Sequence, residues 1–93
     1  VVGLLVINGK NLLLKSMDAR LLHLLCVKMH EIASNDYLIR GLWGNYSYAE
    51  KGNALRKGII RLRNILEADT SLVVGNSFGE GYFLTSRNLH LKA

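Results

Sequence analysis

The stretch Asn53-Ala54-Leu55-Arg56-Lys57-Gly58-Ile59-Ile60-Arg61-Leu62-Arg63-Asn64-Ile65-Leu66 decides how this chain folds. At about 100° per residue, Leu55, Ile59, Leu62 and Leu66 fall on one narrow arc, with Ile65 at its border. Apolar residues at that spacing predict an amphipathic helix with the aliphatic arc against a core. Asn53, Lys57, Ile60 and Asn64 lie opposite, with Arg61 on one flank and Arg56 and Arg63 on the other. The helix is expected to start between Ala49 and Asn53 and to reach Leu66 or Glu67. Gly58 in its interior costs about 1 kcal/mol relative to Ala. It is either a site of close approach by another helix or a tolerated defect.

Charge sharpens the picture of the outer face. Of the 12 Lys and Arg residues in the chain, Lys51, Arg56, Lys57, Arg61 and Arg63 sit on or beside this helix. No acid lies among them; Glu50 and Glu67 only bracket the segment. A merely solvated helix mixes signs for i,i+4 pairing, whereas like charges set together cost stability unless an outside anion offsets them. A major groove accepts a helix, Arg takes guanine bidentately, Asn takes adenine, and Lys supplies a point charge to phosphate. Asn53, Arg56, Lys57, Ile60 and Arg61 are therefore the candidate duplex contacts. Arg63 is assigned to a phosphate or a structural carboxylate. Ile60 is either an ordinary exposed aliphatic or a contact for a thymine methyl.

Upstream, residues 4–7 and 11–14 are short apolar runs around Asn8-Gly9, the strongest two-residue hairpin signal. Ser16 is expected to cap a helix reaching about Glu31, with Asp18 in its first turn and Leu21, Leu22, Leu25 and Met29 as its buried stripe. Ser34 is a second N-cap, with Asp36 in the first turn of a short helix ending near Gly41 or Leu42. Its apolar face is Leu38, Ile39 and Leu42. Residues 43–48, Trp-Gly-Asn-Tyr-Ser-Tyr, read as a loop. Downstream, residues 72–74 and 82–85 are strand-like, with Gly75, Gly79 and Gly81 marking a tight hairpin.

Composition narrows the classes. Ninety-three residues with 49% apolar content make one domain with one core. A net charge of +5 and a pI near 9.7 favour a polyanionic partner. The single Cys26 and three histidines assemble neither a disulfide nor a metal site. That cysteine usage fits a reducing compartment, and no apolar run spans a bilayer. No carboxylate pair, activated nucleophile or phosphate-cradling loop is present, and Gly79-Glu80-Gly81 lacks the strand-to-helix context of a nucleotide fingerprint. The expectation is a cytoplasmic domain that is not an enzyme, with no cofactor, metal or small-molecule ligand.

Three stretches carry a resemblance. Leu38-Ile39-Arg40-Gly41-Leu42-Trp43-Gly44, then Leu55 with Ile59-Ile60-Arg61-Leu62-Arg63-Asn64-Ile65-Leu66, then Gly79-Glu80-Gly81-Tyr82-Phe83-Leu84, resemble the winged helix-turn-helix output domain of OmpR/PhoB-type bacterial regulators. All three occur in order and cover nearly the whole chain. The resemblance implies an α+β fold: an N-terminal sheet of four strands, three helices over residues 16–67, and a C-terminal hairpin wing over 72–85. Only two strands are evident before Ser16. It implies sequence-specific binding to double-stranded promoter DNA, with the helix of residues 53–66 in the major groove, supported by Lys51. The wing residues Asn76, Ser77 and Phe78 would lie at a neighbouring minor groove. It further implies RNA polymerase contact through Tyr46 and Tyr48, Trp43 as a core plug, and pairing of two copies on repeated half-sites.

Two residues depart from the family pattern. Phe78 stands where an Arg or Lys commonly precedes the first wing glycine, and Glu80 between the glycines would repel phosphate. Phe78 either wedges or packs on sugar, or it fills the core. The start at Val1, directly in the DNA-binding domain, favours the ToxR/CadC-like or virulence-activator arrangement, at the cytoplasmic face of the inner membrane where such a protein is anchored. From a different class, a winged-helix protein-interaction module would use Ile60, Phe78 and the tyrosines as an apolar patch.

Overall fold

The computed structural model describes residues 2–7 and 10–86. Val2–Ile7 (β1) and Lys10–Lys15 (β2) pair antiparallel, from Val2 opposite Lys15 to Ile7 opposite Lys10. The turn expected at Asn8-Gly9 lies outside the described residues. Two strands precede the first helix among the described residues, not the four that the resemblance implies.

The first helix, Ser16–Val27 (α1), differs from expectation at both ends. Ser16 does not cap it. β2 runs into the helix without a loop, so Lys15 holds the N-cap position in extended conformation, with no side-chain hydrogen bond. The helix also stops short of Glu31. His30 takes a left-handed φ of 68° and donates its backbone N–H to the Leu84 carbonyl at 3.0 Å, which draws the chain onto a strand. Met29 therefore packs on the core from a turn rather than from the helix.

Ala33–Ser34 (β3) is a two-residue strand, too short to leave a periodic signal. It leads into Asn35–Trp43 (α2), where Ser34 caps as expected by accepting the Tyr37 N–H at 3.1 Å. The next helix, Tyr48–Asp69 (α3), begins earlier than predicted. Ser47 and Glu50 close a capping box: Ser47 Oγ accepts the Glu50 N–H at 3.2 Å, and Glu50 Oε1 accepts the Ser47 N–H at 2.9 Å. Those bonds hold the Glu50 carboxyl below its usual range. A depressed carboxyl pKa favours the folded state above the ordinary carboxylate range, and that support disappears as pH falls through the lowered value. The expected loop of residues 43–48 thus shrinks to residues 44–47, because Trp43 ends α2 and Tyr48 opens α3.

Leu72–Ser77 (β4) and Gly81–Ser86 (β5) form the C-terminal hairpin, and β5 also pairs with β3, giving the order β3-β5-β4. Phe78, Gly79 and Glu80 make its tip; Gly79 has a φ of 80°, and Glu80 N–H donates to the Ser77 carbonyl at 2.9 Å. The three helices and this sheet share one core. Leu21, Leu22 and Leu25 meet Leu38, Ile39 and Leu42 of α2, and Val74 and Leu84 of the sheet. From α3 come Leu55, Ile59, Leu62 and Leu66, the four residues of the predicted arc, all fully buried. Each contributes about 1.5–3 kcal/mol by leaving water. Trp43 packs against the core edge, as a plug would. The architecture is a winged helix-turn-helix of α+β class.

Gly58 resolves as a tolerated defect. A Cβ placed there would meet only Leu21 Cδ2, at 3.6 Å, an ordinary contact distance. Gly58→Ala is accordingly expected to stabilise the fold by about 0.5–1 kcal/mol. Thermal unfolding would register this as a rise of roughly 2–8 °C for a domain of this size.

Candidate nucleic-acid interface

α3 is held on one side by its four buried aliphatics, and this fixes what the opposite side presents. Asn53, Arg56, Lys57, Ile60 and Asn64 are all exposed, and no acid interrupts them. Ile60 is 47% exposed on this face, which keeps both readings of it open. Asn53 sits one turn inside the helix rather than at its start, and so projects from regular helical backbone.

The remaining cations of the segment have intramolecular partners. Arg61 Nε donates to Asp18 Oδ1 at 2.8 Å; the aspartate side chain is 3% exposed and the arginine 49%. The structural carboxylate considered for Arg63 thus belongs to Arg61. Asp18 stands in the first turn of α1 as expected, and it also joins α1 to α3. Arg63 Nε donates to the Val74 carbonyl at 3.1 Å and ties α3 to the wing strand. Lys51 does not join the outer face. Its Nζ lies 4.8 Å from the Tyr46 ring centre and 5.5 Å from that of Trp43, inside the α2–α3 turn. Two cation–π contacts of this kind stiffen the turn.

Arg61→Met should expose the dependence on Asp18, because it leaves a buried carboxylate without its partner. An enclosed pair loses roughly 3–5 kcal/mol when broken this way, and water access to the half-exposed arginine lowers that to about 2 kcal/mol. Urea unfolding should show a lower midpoint with an unchanged m-value.

Between α3 and the wing lies an open cleft. Ser34, Asn35 and Asp36 form one wall, Tyr48 and Arg56 a second, and residues 76–82 a third. This arrangement separates the two candidate tyrosines. Tyr48 lines the cleft, while Tyr46 packs beneath Lys51 on the turn. The wing tip is braced: Ser77 Oγ donates to Glu80 Oε1 at 2.6 Å, and the Glu80 carbonyl accepts the Asn35 N–H at 3.1 Å. Glu80 therefore has a structural task that the sequence does not announce. Phe78 at the tip is 95% exposed, which rules out the core-filling reading.

Sequence reasoning did not assign Ser34, Asn35 and Asp36 to this cleft. The signal would have been β3, which sets the α2 N-terminus beside the wing, and a two-residue strand leaves no pattern. Cys26 stands apart on the outer side of α1, where desolvation raises its thiol pKa, the reverse of what an activated nucleophile needs. Among the described residues no three His, Cys, Asp or Glu side chains gather as a metal site, and no helix is long and apolar enough to cross a membrane.

Comparison with known proteins agrees with this architecture. A family model described as "Transcriptional regulatory protein, C terminal" matches residues 9–84. The chain is 31% identical over 81 residues to "Transcriptional regulatory protein RprY" of Bacteroides fragilis (strain YCH46), an alignment covering 87% of this chain. The same alignment covers 34% of that relative, so the chain spans about a third of its length.

Proposed function

The chain belongs to the OmpR/PhoB-type family of transcriptional regulatory protein C-terminal domains, and from that premise we propose that it binds duplex DNA as the output domain of a bacterial transcription regulator. α3 enters the major groove and the β4–β5 wing overlies the adjacent minor groove. The observation that carries this reading is the acid-free exposed face of α3: Asn53, Arg56, Lys57, Ile60 and Asn64, on a helix otherwise committed to the core. Arg and Asn there offer bidentate partners for guanine and adenine, Lys offers phosphate a charge, and Ile60 offers an apolar contact to a thymine methyl.

Arg61 and Arg63 work at the flanks of that face. Their Nε atoms are engaged by Asp18 and Val74, so each holds its guanidinium in a fixed place beside the duplex backbone. Lys51 acts through the turn that it stiffens. The same reading extends to RNA polymerase contact near Tyr46 and Tyr48 and to two copies on repeated half-sites. Analytical ultracentrifugation with duplexes carrying one or two half-sites tests the latter. Mobility shift against mixed-sequence duplex at low salt tests the main proposal: retardation at micromolar protein, weakening steeply as salt rises, is the expected result.

A second reading has one observation in its favour, the almost full exposure of Phe78. A protein-interaction module would use that ring, Ile60 and Tyr46 as anchors. The same mobility shift separates the two, since such a module leaves the duplex unretarded.

A further inference from the structure

Phe78 is exposed to 95%, far beyond the next most exposed large apolar residue among the described residues, Val27 at 62%. Its mount is stiff. The Ser77–Glu80 turn is closed by a backbone bond of 2.9 Å and a hydroxyl–carboxylate bond of 2.6 Å, and the Asn35 N–H ties it to α2. A ring held outward on such a turn is presented to something rather than left loose. The tip also carries no cation: across Asn76-Ser77-Phe78-Gly79-Glu80-Gly81 the only charged residue is Glu80. This segment therefore gains nothing from neutralising phosphates. What distinguishes the tip is apolar: Phe78 is the one apolar side chain between Asn76 and Gly81. Phe78 and Arg56 line the same cleft, so a backbone strand held there would lie between α3 in one groove and the ring at the next.

Resting on the duplex-binding reading above, we infer that Phe78 is a wedge that inserts between stacked base pairs from the minor-groove side and partly unstacks them. Apolar side chains kink DNA in this manner, and pyrimidine–purine steps such as TpA yield most readily. The wing then selects deformable steps without reading a base edge. Its contribution to affinity is insensitive to salt, unlike that of α3.

The test uses a mixed-sequence duplex with several TpA steps, 2-aminopurine beside them, and a fluorophore pair at its ends. The wild-type chain should raise 2-aminopurine emission and shorten the end-to-end distance. Phe78→Ala should abolish both signals and weaken binding by roughly 5- to 30-fold, as loss of one aromatic stack does, with the salt slope unchanged. Phe78→Leu should retain part of both signals. Phe78→Arg should restore affinity with a slope steeper by about 1, and no unstacking. The ring touches no core residue, so thermal melting should be the same for all four proteins. The inference is overturned if the wild type produces no unstacking, or if Phe78→Ala leaves emission and affinity unchanged while Arg56→Ala still weakens binding. If Arg56→Ala and Lys57→Ala also change nothing, the duplex-binding reading itself fails.

Discussion

Gly81→Ala is expected to remove about 3 kcal/mol of stability, the upper end of what an overpacked site costs. A Cβ at this position would lie 2.0 Å from the Ala33 carbonyl oxygen and 2.8 Å from the Ser34 Cα, both backbone atoms of β3. No side chain can turn aside to make room, so β3 must move. Movement there disturbs more than two residues. Ser34 caps α2, and the neighbouring Asn35 N–H holds the wing tip through Glu80. A domain of this length is stable by about 5–14 kcal/mol, so the loss is a large share of the whole. Thermal unfolding should fall by on the order of 15 °C. Gly79→Ala is the informative contrast: nothing lies within 4 Å of its Cβ position, and only the φ of +80° opposes a side chain. It should lose no more than about 1–2 kcal/mol. Equal losses at both positions would show that close approach of the strands is not what Gly81 provides.

The second large effect is on binding. Arg56→Ala combined with Lys57→Ala should weaken duplex affinity by roughly 30- to 700-fold at low salt, as two direct contacts of about 1–2 kcal/mol each would. The two side chains straddle the exposed face. Arg56 borders the wing cleft, and Lys57 lies at the rim of the groove formed with Met17, Leu21 and Trp43. Neither takes part in a hydrogen bond or ion pair among the described residues, so the double variant should melt with the wild type. Its salt slope should be shallower by about 1–2, one for each phosphate no longer neutralised. Fluorescence anisotropy over a salt series measures both quantities. An unchanged slope with lower affinity would assign the two residues to base edges instead of the backbone.

Much of this fold was legible because its main signals are local and periodic. The arc of Leu55, Ile59, Leu62 and Leu66 required only helical geometry. The Ser34 cap and the hairpin glycines also announced their structures. Sequence and structure part where tertiary contacts override a local signal. Ser16 looked like a cap, but a strand feeding straight into α1 left Lys15 in that place. His30 ended α1 early because β5 binds its backbone. The start of α3 is encoded in Ser47-Tyr48-Ala49-Glu50, where a capping-box spacing lies among turn-forming residues that point to a loop. At the candidate interface, the outward placement of Asn53, Arg56, Lys57 and Ile60 followed from the same wheel that placed the core. What sequence could not supply was which cations are committed internally. Arg61 depends on Asp18, 43 positions away, and Lys51 on two rings of the preceding turn.

In the proposed function, α3 grips duplex DNA through its exposed, acid-free basic face. The most direct test is the affinity of the 93-residue chain for a mixed-sequence duplex across about 50–200 mM salt. With Arg56 and Lys57 free, and Arg61 and Arg63 fixed at the flanks, three to four phosphates should be neutralised. The logarithm of the binding constant should then fall linearly with the logarithm of salt, with a slope of about −3. No binding at micromolar protein in the lowest salt, or binding that ignores salt, would contradict the account.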